Sequence, residues 1–324
     1  MTNLLIALVV ILTIAALVQL VRVNELLSEI TNEDTNAVTD DDNNKNGIFF
    51  LLTIPLFLGF VVWQMVTWDH LLLPPASSLH GAEIDSLMKV SMTLILIVFF
   101  ALTPMLFFFA YKYRGKKGNT AYFFSHNNKL EVVWTVVPTI ILTALIIFGL
   151  RTWDRAMNPD LSQASIIEVY SKQFDWTARY AGDDNVLGQS SYLLVKGKNT
   201  LGVDMLDEQS SDDIITREVH LPVNKPVLLK FRSRDVIHSA FLPHFRVQMN
   251  CVPGLSTQFG FTPTKTTEEM KSQEGEDFEY VLLCNKICGA AHFNMQMKFI
   301  VESEEDYNKW IASQKSLETT LTLK

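Results

Sequence analysis

Cysteine is nearly missing, with three in 324 residues. That excludes the small stapled domains that depend on a disulfide framework, and leaves paired thiols to metal or redox chemistry. The C-x2-C spacing of redox dithiols and many zinc sites is missing too. Charge is sparse in the first half, where residues 1–150 hold 8 Lys and Arg and 11 Asp and Glu. No basic excess exists either: residues 151–324 carry 19 Lys and Arg against 24 Asp and Glu, and the whole chain has net charge −8. An acidic outer surface argues against nucleic acid, which selects for basic patches. It leaves a basic protein partner or plain solubility.

Apolar residues are abundant, at 48% of the chain, and they concentrate before residue 153. Four runs are long enough to cross a bilayer, which takes about 20 helical residues. They are roughly Leu4 to Val21, Ile48 to Trp68, Leu87 to Tyr111 and Leu130 to Leu150. The residues ahead of the first, MTN, lack the basic region of a signal peptide, so it reads as a retained helix. The one dense basic cluster near the membrane, YKYRGKK, belongs in the cytoplasm by the positive-inside rule. The acidic loop NELLSEITNEDTNAVTDDDNNKN then lies inside as well, and everything after the fourth helix lies outside. Trp68, Trp134 and Trp153, near the proposed helix ends, read as interfacial anchors.

After residue 160 the texture changes. SIIEVYS, REVHLP, VLLKFRS and FEYVLLC are short, β-branched runs bounded by turn residues, as expected for strands of a sandwich or barrel. QMKFIVES reads as a last strand, followed by a short helix EEDYNKWIASQ and a polar tail. The acidic stretch Asp204 to Asp213 reads as a surface loop, and His70, His80 and His220 as loop or surface residues.

The chemistry concentrates in CNKICGAAHFNM, which places Cys284, Cys288, His292 and Met295 on one loop behind a strand, with Gly289 helping the chain to bend. Thiolate, imidazole and thioether together are the ligand set of copper electron-transfer sites. A mononuclear blue-copper site needs one cysteine. Two cysteines with a carbonyl between them supply what two bridged coppers require, and His238 in SRDVIHSAFLP is the best second histidine, with His244 in reserve. Zinc held by two cysteines and two histidines stays open on ligand count, although Met295 weighs against it. Cys251, in NCVPG, is most simply a buried small hydrophobe.

From about Leu73 to Trp310 the chain resembles subunit II of the haem-copper terminal oxidases, specifically the cytochrome c oxidases that carry a dinuclear CuA centre. The motifs are LEVVWTVVP, KQFDWTARY, SRDVIHS, NCVPG and CNKICGAAH, in the family order. The resemblance implies a membrane protein of the α+β class, four transmembrane helices followed by a cupredoxin-like Greek-key β-barrel. It also implies two copper ions bridged by Cys284 and Cys288, with His238 and His292 as terminal ligands and Met295 and the Lys286 carbonyl as weak ones. Electrons would come from a c-type cytochrome and pass to haem in subunit I, where oxygen is reduced to water with proton pumping. Phe174 and Trp176 would mark electron entry, and Glu131 the mouth of a proton channel; as an alternative, Asn128 and Glu131 resemble a helix-capping box. By the same resemblance the chain consists of an extra transmembrane helix (1–24), an acidic cytoplasmic loop (25–46), a second extra helix (47–70), the subunit II hairpin (71–153), a periplasmic CuA domain (154–312) and a polar tail (313–324).

Three features depart from the family. Lys286 stands where relatives usually have glutamate, and Asn250 where they often have a nearby aspartate, so the interface magnesium is expected to be absent. Phe174 replaces the first of two usual tryptophans, which points to a donor that is tethered or held in a supercomplex. The first two helices are additions, expected to pack on another membrane subunit. A quinol oxidase subunit, which lacks the copper ligands, and a tethered copper or zinc carrier are the rival readings. With no amphipathic, Arg-rich presequence visible, a bacterial plasma membrane is expected, with the C-terminal domain in the periplasm.

Overall fold

The computed structural model describes residues 2–31, 37–158 and 164–322. Four long helices come first: α1 (Thr2–Thr31), α2 (Asp40–Thr67), α3 (Leu79–Lys112) and α4 (Asn128–Met157). All are long and apolar enough to cross a membrane. Each outruns its apolar stretch, and side chains cap the N-termini of α2 and α4. Thr39 and Asp42 form a reciprocal capping box, and Asp40, Asp41 and Asp42 crowd the first turn of α2, where the helix dipole favours carboxylates. Helix α2 therefore begins inside the stretch expected to be loop, and α1 likewise reaches Thr31. The middle of that loop, residues 32–36, lies outside the described residues.

The chain divides into two compact units, Met1–Asp69 with Leu96–Ser125, and His70–Ile95 with His126–Lys324. In the first, Phe50 stacks on Phe107 at 6.0 Å, and Asp40 accepts the Lys117 amide at 2.8 Å. The Arg114 guanidinium lies 4.3 Å from the Tyr111 ring, donates to Asn44 at 2.8 Å and covers Gly47. A Cβ at Gly47 would stand 2.8 Å from Arg114 Cδ, so a larger residue would displace that clamp. The acidic start of α2 thus sits beside the basic segment after α3, as the expected orientation requires.

In the second unit ten strands form two five-stranded sheets: β1 (Ser165–Lys172), β2 (Asp175–Tyr180), β3 (Ile214–Thr216), β4 (Val219–Pro222), β5 (Val227–Ser233), β6 (His238–Leu242), β7 (Val247–Cys251), β8 (Thr257–Phe261), β9 (Tyr280–Cys284) and β10 (Gln296–Glu302). The sheet orders are β3-β2-β1-β5-β8 and β4-β10-β9-β6-β7. Pairing is antiparallel except for β1 with β5 and β4 with β10, the crossovers of a cupredoxin-like Greek key. Ile167, Val169, Leu229, Phe231, Val247, Leu282 and Phe299 are fully buried between the sheets. Each such side chain contributes about 1.5–3 kcal/mol by leaving water. Helices α5 (Thr267–Glu274), α6 (Glu304–Ser313) and α7 (Leu317–Thr322) complete the unit.

The start of α3 is held on the barrel by hydrogen bonds. Leu79 donates to the Thr262 carbonyl at 3.1 Å, Ser77 to His244 at 2.7 Å, and the Ser78 hydroxyl to Phe245 at 2.7 Å. Arg246 grips Asp85 with two nitrogens at 2.8 and 2.9 Å and also reaches the Pro74 carbonyl.

Several expectations are corrected. His80 is buried, its ring 5.3 Å from that of Phe259. His220 is buried too, stacked on Trp310 at 3.9 Å between Glu218 and Glu302. Asp213, expected at the surface, is fully buried, bonded to Arg179 at 3.0 Å and to the Gly188 amide at 3.2 Å. In the polar tail, Leu317 is buried with Tyr170, Leu201 and Val203, so burying one leucine fixes α7 on the barrel.

Candidate metal centre

Cys284 is the last residue of β9, and a loop of eleven residues separates it from β10. The neck of the loop is closed by the Cys284 amide donating to the Met295 carbonyl at 3.1 Å, and Asn285 donates to Ser239 of β6 at 2.8 Å. Ala240 of β6 lies opposite Cys284 of β9, so His238, at the start of β6, is carried to the loop across 46 residues of sequence.

The donor atoms converge. Cys284 Sγ is 3.8 Å from Cys288 Sγ, 3.8 Å from His238 Nδ1 and 3.3 Å from the Lys286 carbonyl oxygen. Cys288 Sγ is 3.6 Å from His292 Nδ1 and 3.9 Å from Met295 Sδ. His238, Cys288 and Met295 are buried, whereas Cys284 and His292 are half-buried, so the cluster lies at the edge of the barrel. Burial and the neighbouring Cys284 push the Cys288 thiol up to about 11. Two thiols, two imidazoles, a thioether and a carbonyl within this space are a soft donor set that fits copper, and binding would displace the thiol protons.

A supporting layer orients these groups. Asp235 Oδ1 is 2.9 Å from His238 Nε2, leaving Nδ1 to face Cys284. Burial alone would raise the Asp235 carboxyl, but the Gln173 amide, at 2.7 Å, and His238 hold it below the ordinary range. Gln173 Nε2 also donates to the Cys288 carbonyl at 2.6 Å. The ring of Phe174 covers Gly289, where a Cβ would come within 2.8 Å of it; Gly289 also has φ +139°, a region that favours glycine. Trp176 is wholly buried, edge-on to His238 at 6.1 Å. Of the two residues expected at electron entry, only Phe174 reaches the surface.

The other candidates are dispersed. Lys286 keeps its carbonyl in the cluster but is otherwise exposed, as is Asn250 on β7. His244 lies beyond the far end of β6, edge-on to Phe278 and Tyr280, and its burial beside Arg246 lowers its pKa. It takes no part in the cluster. Cys251 is buried, its thiol pushed up to about 12 by burial. Glu131 accepts the Asn127 amide at 3.2 Å, and Asn127, rather than Asn128, caps α4. Nothing in ligand type or spacing marks Gln173 in the sequence. Asp235 has a signal in the sequence, three residues ahead of His238 in SRDVIHS.

Two family models match the chain: "Cytochrome C oxidase subunit II, transmembrane domain" over residues 63–152, and "Cytochrome C oxidase subunit II, periplasmic domain" over residues 165–303. Alternative cytochrome c oxidase subunit 2 of Bradyrhizobium diazoefficiens is 32% identical over 222 residues, spanning 67% of this chain and 76% of that protein. The chain belongs to the cytochrome c oxidase subunit II family. Cytochrome c oxidase subunit 2 of Synechocystis is 25% identical, over 80% of this chain and 82% of that one. The periplasmic domain of subunit II from Bradyrhizobium japonicum, a solved structure, aligns at 24% identity over 48% of this chain and 96% of its own, with a TM-score of 0.34. As a member of the subunit II family, the protein is an electron-transfer subunit of a membrane terminal oxidase, an oxidoreductase. It is a multi-pass membrane protein whose C-terminal domain is periplasmic. The family match begins at residue 63, so α1 and most of α2 precede the matched region.

Proposed function

We propose that the Cys284 and Cys288 sulfurs, the His238 and His292 imidazoles and, more weakly, the Met295 thioether and the Lys286 carbonyl would together hold two copper ions shared between the two thiolates. The observation that carries this reading is that the two cysteine sulfurs lie 3.8 Å apart and each of the other four donors lies 3.3 to 3.9 Å from one of them. When bound, the copper pair supplies a one-electron redox site. The chain's own part is positional. Asp235 fixes the His238 ring, Gln173 tethers the loop at Cys288, and Phe174 over Gly289 forms the entry face for an electron from a c-type cytochrome. Trp176 packs beneath His238. Electrons accepted here would be handed on to the haem-bearing subunit of the oxidase, the part that would reduce oxygen.

Elemental analysis with electron paramagnetic resonance on the copper-loaded protein tests this reading. Two coppers per chain sharing one unpaired electron are expected; one copper, or zinc with no signal, would overturn it. At Lys286 an ammonium cannot ligate a cation. The interface magnesium of relatives is therefore proposed to be absent, and stoichiometric, tightly bound magnesium in the purified oxidase would contradict that. The donor is proposed to be tethered or part of a supercomplex, and turnover equal with generic soluble cytochromes c would count against it. The periplasmic CuA domain is proposed to span 154–312, with the last residues of α4 at its start, and the two extra helices to pack on another membrane subunit or a partner complex. Full accessibility of both helices to lipid in the assembled oxidase would remove the last point.

A further inference from the structure

A groove of about 910 Å³ runs between the first half of α3 and the second half of α4. Its walls are Leu87, Val90 and Leu94 on one side and Ile140, Ala144 and Phe148 on the other. Its mouth, at the periplasmic end of both helices, is polar: Glu83 and Ser86 from α3, and Arg151, Thr152 and Arg155 from α4. The gradient is that of an amphiphile, head outward and tail inward. From Arg151 to Ile140 the wall is ~16 Å long at the α-helical rise, a depth suited to an acyl chain.

Charge at the mouth identifies the head. Arg155 is bonded to Glu83 at 2.8 Å, which leaves Arg151 with no ion pair among the described residues. Two cations against one carboxylate leave a net positive charge where lipid headgroups lie, and guanidinium matches phosphate geometry better than ammonium does. The volume is in the range of about 300–1,000 Å³ typical of small-molecule sites.

We propose that this groove holds an anionic phospholipid of the outer leaflet, its phosphate on Arg151 and one acyl chain between α3 and α4. The site is independent of the copper cluster. It would fill the gap in the hairpin that carries the barrel.

The test is native mass spectrometry of the purified full chain in detergent, titrated with phosphatidylglycerol or phosphatidylcholine. Wild type is expected to retain one phosphatidylglycerol, and Arg151→Gln to weaken retention about tenfold, as loss of a charge-assisted hydrogen bond predicts. Ala144→Trp, which fills the groove and leaves both arginines, is expected to abolish retention. Equal retention by wild type and both variants would overturn the site, and equal retention of the two lipids would overturn the headgroup assignment. Because Ala144→Trp also strains the hairpin, a photoreactive side chain at Leu94 in the assembled oxidase gives a second reading. Crosslinking to phospholipid supports the proposal, whereas crosslinking to a polypeptide or a quinone refutes it.

Discussion

Gln173 donates its side-chain amide to the carbonyl of Cys288 at 2.6 Å, tying the turn between β1 and β2 to the middle of the metal loop. The next residue, Phe174, covers Gly289, so one turn both tethers and roofs the site. A methyl group at Gly289 would meet the Phe174 ring at 2.8 Å and would force a side chain into a positive-φ conformation. Backbone strain of that kind costs on the order of 1–3 kcal/mol. Gly289→Ala is expected to lower copper affinity and alter the absorption spectrum. Adding Phe174→Ala should relieve the clash but not the backbone strain, giving partial recovery. Full recovery or no recovery in the double variant would show that this division is mistaken.

Asp235 acts on the metal through His238. Carboxylates that orient a ligating histidine are worth about 10–100-fold in metal affinity. Asp235→Ala should therefore weaken copper binding by about that factor in chelator competition, while Asp235→Asn, which keeps an acceptor oxygen, should lose less. An unchanged affinity in Asp235→Ala would remove the positioning role.

Arg246 joins the barrel to α3 through a two-pronged bond to Asp85, its own side chain only 6% exposed and that of Asp85 21%. Removing one partner of a buried pair typically costs about 3–5 kcal/mol, and the partial exposure of Asp85 favours the lower end. Thermal unfolding of the full chain in detergent should show Arg246→Met destabilised by about 3 kcal/mol. Arg246→Lys should recover little, because an ammonium cannot make the paired bond. If Arg246→Lys matched wild type, the contact would be reduced to a simple charge.

Glu131 serves α4 through the Asn127 amide, at 3.2 Å. A proton-entry role requires more than that. Glu131→Gln keeps an acceptor for the amide but cannot ionise, so the proton role predicts reduced turnover and pumping with little change in stability. Unchanged turnover and pumping would leave Glu131 as a capping residue alone.

Sequence periodicity revealed β1, β4, β5, β9 and β10, which are short apolar runs fenced by turn residues, as VLLKFRS shows for β5, whereas β2, β3, β6, β7 and β8 carry too little of that pattern. The metal loop was legible because four of its ligands lie within twelve residues, and His238 followed from the need for a second imidazole behind a strand. Burial set by distant partners was not legible. His220 looks like a surface residue until β4 pairs with β10 and brings Glu302 and Trp310 to its ring. Helix length was understated because hydropathy ends at the last apolar residue: capping by Thr39 starts α2 in polar sequence, and α4 runs on through the mostly polar stretch 151–157.

Asp213 gives the pH dependence its sign. Burial pushes its carboxyl up to about 7, against the pull of Arg179 and the Gly188 amide, with Asp212 and Glu168 adding to the rise. An acid whose folded pKa lies above its unfolded value holds its proton longer when folded. Its contribution to stability is therefore complete below about pH 4 and lost as pH climbs through about 7. Glu168 behaves differently: burial would raise it, but Arg179 and Arg232 bring it below its ordinary value, so its own loss falls at lower pH and outside this window. Asp213→Asn keeps one acceptor oxygen, the number Arg179 and the Gly188 amide share in wild type, and removes the titration. Unfolding of the full chain followed from pH 4.5 to 7.5 should show wild type losing stability as pH rises and the variant losing distinctly less. Parallel slopes for the two proteins would mean that Asp213 stays ionised beside Arg179 throughout, and that the pH response arises elsewhere.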